Sequence, residues 1–228
     1  MDTIFNSENG MKKVILIANG DKPSKKVFSF FQKLGYDKII SADGGADNAR
    51  KIGIKPDYII GDLDSVSSDT LKFFEGKSQI IQYKRQNDTD VEKAIKFAVK
   101  RGTKQIVLFS GTGNRIDHSF SNLGFVYKYF PKVDISLIHG NSILKCFTGN
   151  VEMSVTREEI ISIYGIARKT KITSKGLKYK LTDAALPFGV RDSTSNSALS
   201  TKVELKITGG KIFVVRDIKL IMKHDHIF

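Results

Sequence analysis

Up to about residue 140 the chain alternates two signals: short, mainly apolar runs, and stretches whose apolar residues recur at helical spacing. The apolar runs are residues 14–18, 39–40, 58–60, 80–83, 106–109 and 135–138. Between them stand a helix capped by Ser24, carrying Val27, Phe28, Phe31 and Leu34 and closed by Gly35, and a short helix near residues 47–52. A third helix carries Val91, Ala94, Ile95, Ala98 and Val99 on one stripe and ends at Gly102, and a fourth spans about 117–129 before Pro131. Buried strands alternating with helices leave little choice but βαβ units and a mostly parallel sheet. The expected fold class is therefore α/β, with a Rossmann-like N-terminal domain over residues 11–140.

From about residue 141 the helical stripes vanish. Residues 160–166, 177–181 and 203–207 read as strands, and Gly209-Gly210 reads as a hairpin turn into 212–215. These features predict a second domain, 141–228, of antiparallel β structure, a sandwich or a small barrel. Residues 1–10 read as a loose polar tail, and Lys223-His224-Asp225-His226 as a frayed polar end rather than a histidine metal site.

Composition narrows the function classes. Lysine and arginine number 37 against 24 acidic residues, a formal net charge of +13. Such a balance suits nucleic acid or a phosphorylated metabolite, but the basic residues occur as scattered pairs without interleaved aromatics, so a solvated surface and no nucleic-acid partner are expected. Cys146 is the single cysteine, which excludes an intramolecular disulfide and a thiolate metal cluster; its apolar setting predicts a buried thiol. No apolar stretch approaches the ~20 residues that span a bilayer, and the N-terminus lacks a signal-peptide pattern. No membrane partner and a cytoplasmic location are expected.

Against this basic background, acidic residues gather where strands should end: Gly61-Asp62-Leu63-Asp64-Ser65, Asn87-Asp88-Thr89-Asp90 and Arg115-Ile116-Asp117-His118. Open α/β sheets bind ligands at the carboxyl ends of their strands. Asp62 and Asp64 share a face in extended chain, a pair suited to Mg²⁺ with phosphate oxygens as further ligands. The same segment also fits a turn in which Asp64 or Ser65 caps a helix. Thr89 and Glu92 form a capping box, which leaves Asp88 and Asp90 unexplained. Gly111-Thr112-Gly113 is a glycine-rich turn between strand and helix, without the third glycine of a dinucleotide fingerprint. It delivers Arg115, a candidate phosphate clamp, with Asp117 and His118, which also fit a helix N-cap and an ordinary first-turn residue. Asp43-Gly44-Gly45 ends another strand and is by itself a common turn. Ser193-Thr194-Ser195-Asn196 is by itself an ordinary polar loop.

In this order the motifs resemble the thiamine pyrophosphokinase family: Ala42-Asp43-Gly44-Gly45-Ala46, Gly61-Asp62-Leu63-Asp64-Ser65, Asp88-Thr89-Asp90, Arg115-Ile116-Asp117-His118, then Gly176-Leu177-Lys178-Tyr179 and Ser195-Asn196. Asn114, Lys180 and Thr194 depart from the residues common in that family. The resemblance implies a homodimeric transferase of thiamine metabolism with its active site at the subunit interface, and transfer of the β,γ-pyrophosphoryl group of ATP to the hydroxyl of thiamine, giving thiamine diphosphate and AMP. ATP and thiamine are then the substrates and Mg²⁺ the cofactor. The implied metal ligands are Asp62, Asp64 and Asp90, and these with Asp117 the catalytic set. The ATP contacts are Asp43, Gly44, Asp88, Thr89, Gly111, Arg115 and His118, and the thiamine contacts Asp43, Tyr179, Ser195 and Asn196. The β domain completes the thiamine pocket across the dimer. A metal-dependent nucleotide phosphohydrolase using the same carboxylates is the alternative activity; a basic nucleic-acid-binding protein and a non-catalytic thiamine binder are weaker ones.

Overall fold

The computed structural model describes residues 11–83 and 87–224. The tail expected at residues 1–10, and Asp225 and His226 of the C-terminal segment, lie outside the described residues. The chain divides into two compact units. One runs to Phe125 and includes Pro131–Asp134; the other comprises Val126–Phe130 and the chain from Ile135 onward.

The first unit is built from β1 (Lys13–Ile17), α1 (Lys25–Lys33), β2 (Lys38–Ala42), α2 (Gly45–Lys51), β3 (Tyr58–Gly61), α3 (Ser68–Phe74), β4 (Gln79–Gln82), α4 (Asp90–Lys100), β5 (Gln105–Phe109) and the start of α5 (Ile116–Tyr129). Its strands run parallel in the order β5-β1-β2-β3-β4, with Ile15 opposite Val107 on one side and Ile39 on the other. The central strands are covered on both faces, which is why they read as unbroken apolar runs. Phe28 and Phe31 of α1 meet Phe109 of β5, ring centroids 5.5 and 6.0 Å apart; each such buried ring contributes roughly 1.5–3 kcal/mol. The strand order reverses between β1 and β5, the place where open α/β sheets form a ligand crevice.

Helix starts follow local chemistry. The Ser24 hydroxyl accepts the Val27 N–H and the Thr89 hydroxyl accepts the Glu92 N–H, as their sequences predict. For α3 the cap is Ser67, whose hydroxyl accepts the Thr70 N–H; neither Asp64 nor Ser65 serves. The helix begins too late for them, and both are left in the loop after β3.

The second unit contains β6 (Asp134–His139), β7 (Ser142–Ser154), β8 (Ile160–Gly165), β9 (Lys171–Lys175), β10 (Ala184–Ala185), β11 (Ser193–Ser197), β12 (Lys202–Asp217) and α6 (Ile218–His224). Its described pairings are antiparallel. β12 pairs along its length with β7; on its other side its first half pairs with β9 and its second half with β8. The strands enclose one apolar core that includes Met153, Ile161, Ile172, Leu205 and Val214. Cys146 is buried in β7.

Three expectations fail here. Residues 177–181 are not a strand, Leu177 alone making an isolated bridge to Ala198. Ser193-Thr194-Ser195-Asn196, read as a loop, lies in β11. Gly209-Gly210 is not a hairpin turn: β12 continues through it with a register shift between Ile207 and Ile212. Gly209 takes φ +71°, and a side chain there would strike the Lys169 carbonyl, so the glycine pair bends one strand where its neighbour changes from β9 to β8. Helix α6 was also not expected. Only Ile218 and Ile221 anchor it, too few for a readable stripe. No helix among the described residues is long and apolar enough to cross a membrane.

Candidate active site

The exits of β1, β2 and β5 border a cleft of about 140 Å³. The loops after β1 and β5 lie against each other: Gly20 N–H bonds the Ser110 carbonyl at 2.8 Å and Asp21 N–H the Thr112 carbonyl at 2.9 Å. A side chain on Gly20 would strike Thr112, so glycine is required by the close approach. Buried amides brace the cleft walls. Asn48 of α2 donates to the Ala18 and Gly20 carbonyls at 3.1 and 2.9 Å, and Asn122 of α5 donates to Gly111 at 2.7 Å. Gly44 and Gly111 line the cleft with Asp43, Thr89, Asp90, Arg115 and His118.

Three non-glycine residues just beyond strand ends hold left-handed backbone: Asp43 at φ +45°, Leu63 at +67° and Ser110 at +55°. Such conformations cost on the order of 1–3 kcal/mol and concentrate at functional sites.

Asp43 is buried, and its oxygens accept the Ser65 and Val66 N–H groups at 3.0 and 3.3 Å. It thereby moors the loop that carries Asp62 and Asp64 to the end of β2. Carboxylate oxygens of Asp43, Asp62 and Asp64 all lie within 4.8 Å of one another. Gly61 permits the crowding, since a Cβ there would stand 2.7 Å from the Asp43 Cβ and 3.1 Å from Asp90 Oδ1. Asp90 Oδ1 accepts the Asp62 N–H at 3.3 Å and the Lys93 ammonium at 2.8 Å. Burial raises the Asp43 pKa and the Asp90 charge adds to the rise, against the hydrogen bonds from Ser65 and Val66. Asp62 Oδ1 is buried and has no hydrogen-bond partner. A carboxylate oxygen stripped of water and left unpaired is costly. A divalent cation held by hard oxygen donors would satisfy it, so this donor set fits Mg²⁺.

Arg115 and Asp117 form an exposed fork, Nε to Oδ1 at 3.0 Å and Nη2 to Oδ2 at 2.6 Å. The Arg115 hydrogen bonds hold the Asp117 carboxyl well below the usual range. Since α5 opens at Ile116, Asp117 lies within its first turn and is not its cap. His118 Nε2 stands 3.9 Å from Asp117 Oδ2. Asp88 accepts the Lys96 ammonium on both oxygens at 2.7 Å.

In the second unit Asn196 is fully buried. Its Oδ1 accepts the Tyr179 and Ser197 N–H groups at 3.0 and 2.9 Å, and its amide donates to the Tyr179 carbonyl at 2.8 Å and Ser193 Oγ at 3.0 Å. That uses all four hydrogen-bonding positions of the amide. Tyr179 is clamped by its backbone while its side chain stays 63% exposed. Ser195 adopts φ +55°, with its N–H on Ser162 Oγ at 3.0 Å.

Comparison with known proteins places these groups in a family. Residues 32–138 match the model for the thiamin pyrophosphokinase catalytic domain, and residues 150–212 match that for the thiamin pyrophosphokinase vitamin B1 binding domain. This chain belongs to the thiamin pyrophosphokinase family. It is 26% identical over 225 residues to Thiamin pyrophosphokinase 1 of Caenorhabditis elegans, covering 91% of this chain and 90% of that one. In fold it is similar to thiamin pyrophosphokinase from Candida albicans (TM-score 0.81, 20% identity, 90% of this chain and 89% of that one). The thiamine pyrophosphokinase structure from Bacillus subtilis gives a TM-score of 0.79 at 22% identity, over 90% of this chain and 99% of that one.

Within the span of the family's catalytic domain, sequence reasoning missed Lys93, Asn48, Ser110 and Asn122. For Lys93 a signal was present: it follows Asp90 by three positions, one helical turn on the same face. The two asparagines carry no comparable signal, because each is defined by a carbonyl distant in the chain.

Proposed function

We propose that this chain is a thiamine pyrophosphokinase, transferring the β,γ-pyrophosphoryl group of ATP to the hydroxyl of thiamine. The observation that carries the reading is the succession of catalytic and vitamin B1 binding segments along one chain, with the carboxylate cluster and the glycine-rich turn inside the first. The thiamine hydroxyl oxygen attacks the β-phosphorus in line, the bond from that phosphorus to the oxygen bridging to the α-phosphorus breaks, and AMP leaves. A carboxylate of the cluster takes the hydroxyl proton.

Pyrophosphoryl transfer asks mainly for positioning and for charge placed against phosphate oxygens. The backbone at Gly111 and the N-terminal turn of α4, with Asp88 and Thr89 at its start, border the nucleotide, and Asp43, Gly44 and His118 lie beside it. The Asp117 fork occupies the Nε–Nη2 edge of Arg115 and leaves Nη1 to donate to a phosphate oxygen. Asp62, Asp64 and Asp90 would hold Mg²⁺, with Asp88 as a neighbouring partner; the ion supplies positive charge against the phosphate oxygens. Tyr179 and Ser195 would contact thiamine, with Asn196 setting the position of Tyr179. For the division of labour, residues 11–140 would serve ATP and metal and 141–228 thiamine, in a homodimer that analytical ultracentrifugation would reveal.

The test is AMP release from ATP with and without thiamine, Mg²⁺ and chelator. AMP formed only when thiamine and metal are both present supports the reading. Nucleotide breakdown indifferent to thiamine would shift it to a phosphohydrolase, which has no use for a vitamin B1 binding segment.

A further inference from the structure

Lys93 is the least expected residue of the cluster. It lies in the first turn of α4, where the helix dipole disfavours positive charge. Its side chain is only 5% exposed. A lysine buried in that position is unfavourable unless its surroundings offset the cost. They do so here entirely with the acidic cluster. The ammonium group stands 2.8 Å from Asp90 Oδ1 and 3.8 Å from Asp62 Oδ2.

The carboxylates have the converse problem. Asp43, Asp62 and Asp64 converge, and Asp90 is tied to the Asp62 backbone. Like charges at this spacing repel one another. Lys93 is the cation that the structure places between two of them. An ammonium group there meets the same electrostatic demand as a metal ion, though with hydrogen bonds instead of coordination.

We propose that Lys93 is a positioning residue and the cluster's internal counter-ion: it holds Asp62 and Asp90 in place in the metal-free protein and opposes the divalent cation that the cluster takes up. The inference rests on the reading of the cluster as a divalent-cation site. Its consequence is that the cluster stays assembled between turnovers and binds its ion only moderately.

Mn²⁺ titration of the full chain without nucleotide, read by electron paramagnetic resonance of free Mn²⁺, tests this alongside thermal melting with and without Mn²⁺. The variants are Lys93→Met, Lys93→Gln and Lys93→Arg. Methionine keeps the length of the side chain, glutamine keeps a donor, and arginine keeps the charge. The expected result is that both neutral variants melt lower than wild type without metal, gain more on adding Mn²⁺, and bind Mn²⁺ about tenfold tighter, as removal of a charge a few ångströms from the site requires. Lys93→Arg should stay near wild type. Should the methionine variant not fold without metal, the glutamine variant carries the same comparison. Wild-type binding of Mn²⁺ with equal or weaker binding by the neutral variants overturns the counter-ion role and leaves the metal site standing. No Mn²⁺ binding by any form overturns the metal reading itself and the counter-ion role with it.

Discussion

Two buried polar networks, one in each unit, are built in opposite ways. In the β unit the carboxylate of Glu159 and the amide of Asn196 close on protein donors and acceptors, although the Thr170 hydroxyl nearby in the chain is buried without a hydrogen-bond partner. Arg216 Nε donates to Glu159 Oε1 at 2.6 Å, its Nη2 donates to the Ser154 carbonyl at 2.9 Å, and Glu159 Oε2 accepts the Thr156 N–H at 2.9 Å. Asn196 of β11 is saturated by Tyr179, Ser193 and Ser197. In the α/β unit the network stays open: three carboxylates converge and an Asp62 oxygen is buried without a partner. Closed networks hold a shape. An open one, kept at an energetic cost beside strained backbone, is where a ligand completes the structure.

The contrast can be broken by mutation. Glu159→Gln should have the largest effect, about 3–5 kcal/mol of stability, because it leaves Arg216 buried beside a neutral partner; denaturant unfolding reads the loss, and kcat per folded molecule should not change. Asp64→Asn should do the reverse. Turnover in the AMP assay should fall by about 10³-fold, roughly 4 kcal/mol of barrier, with an unchanged circular dichroism spectrum and melting curve. Near-normal activity in that variant would falsify the metal role of Asp64. Gly61→Ala should touch both properties, costing about 1–3 kcal/mol through overpacking against Asp43 and lowering kcat as the cluster spreads. Asn196→Ala releases the Tyr179 backbone and should raise the KM for thiamine about tenfold, near 1.4 kcal/mol, without moving that for ATP; a matching rise in the ATP KM would blur the distinction between the units.

The smallest effect concerns Asp47. Its carboxylate accepts the Ser67 N–H at 3.0 Å and hydroxyl at 2.6 Å. Burial alone would raise its pKa, yet the hydrogen bonds from Ser67 and Thr70 and the Lys51 charge hold it below the usual value of 3.8. A carboxyl depressed in the folded state stabilises above its unfolded pKa, and that contribution fades as pH falls through the folded one. Asp47→Asn should therefore cost about 1 kcal/mol at neutral pH, and the difference from wild type should disappear in acid. Urea unfolding at both pH values would show it.

Much of this was legible because the relevant physics is local. β1 and β5 are covered on both faces, so their sequences carry unbroken apolar runs. Ser24 and Thr89 cap helices through side chains three residues from their donors. What escaped was set at a distance. Asp64 and Ser65 looked like caps, but Asp43 holds Ser65 in the loop and Ser67 takes the cap. Gly209-Gly210 looked like a turn because only the change of neighbour from β9 to β8 makes it a bend. Asp62 and Asp64 could be anticipated from a strand end; that Asp43 converges with them is visible only in the folded chain. Lys93 offered only its i, i+3 spacing from Asp90 as a signal, since a lysine on a helix ordinarily reads as solvent-facing, and the folded chain is what shows carboxylates around it.

The left-handed backbone at Leu63 sets a limit for anyone engineering this protein. Glycine adopts that conformation without penalty, so Leu63→Gly offers an obvious route to relieving roughly 1–2 kcal/mol of local strain. The same change would loosen the hinge between Asp62 and Asp64 and trade catalytic geometry for an easier backbone. It would also strip the Leu63 side chain from its packing against Ala46, Ile59, Val66 and Phe74, which offsets the relief. Selection for turnover would favour keeping a bulky residue where the backbone disfavours it, so that two aspartates remain aimed at one point.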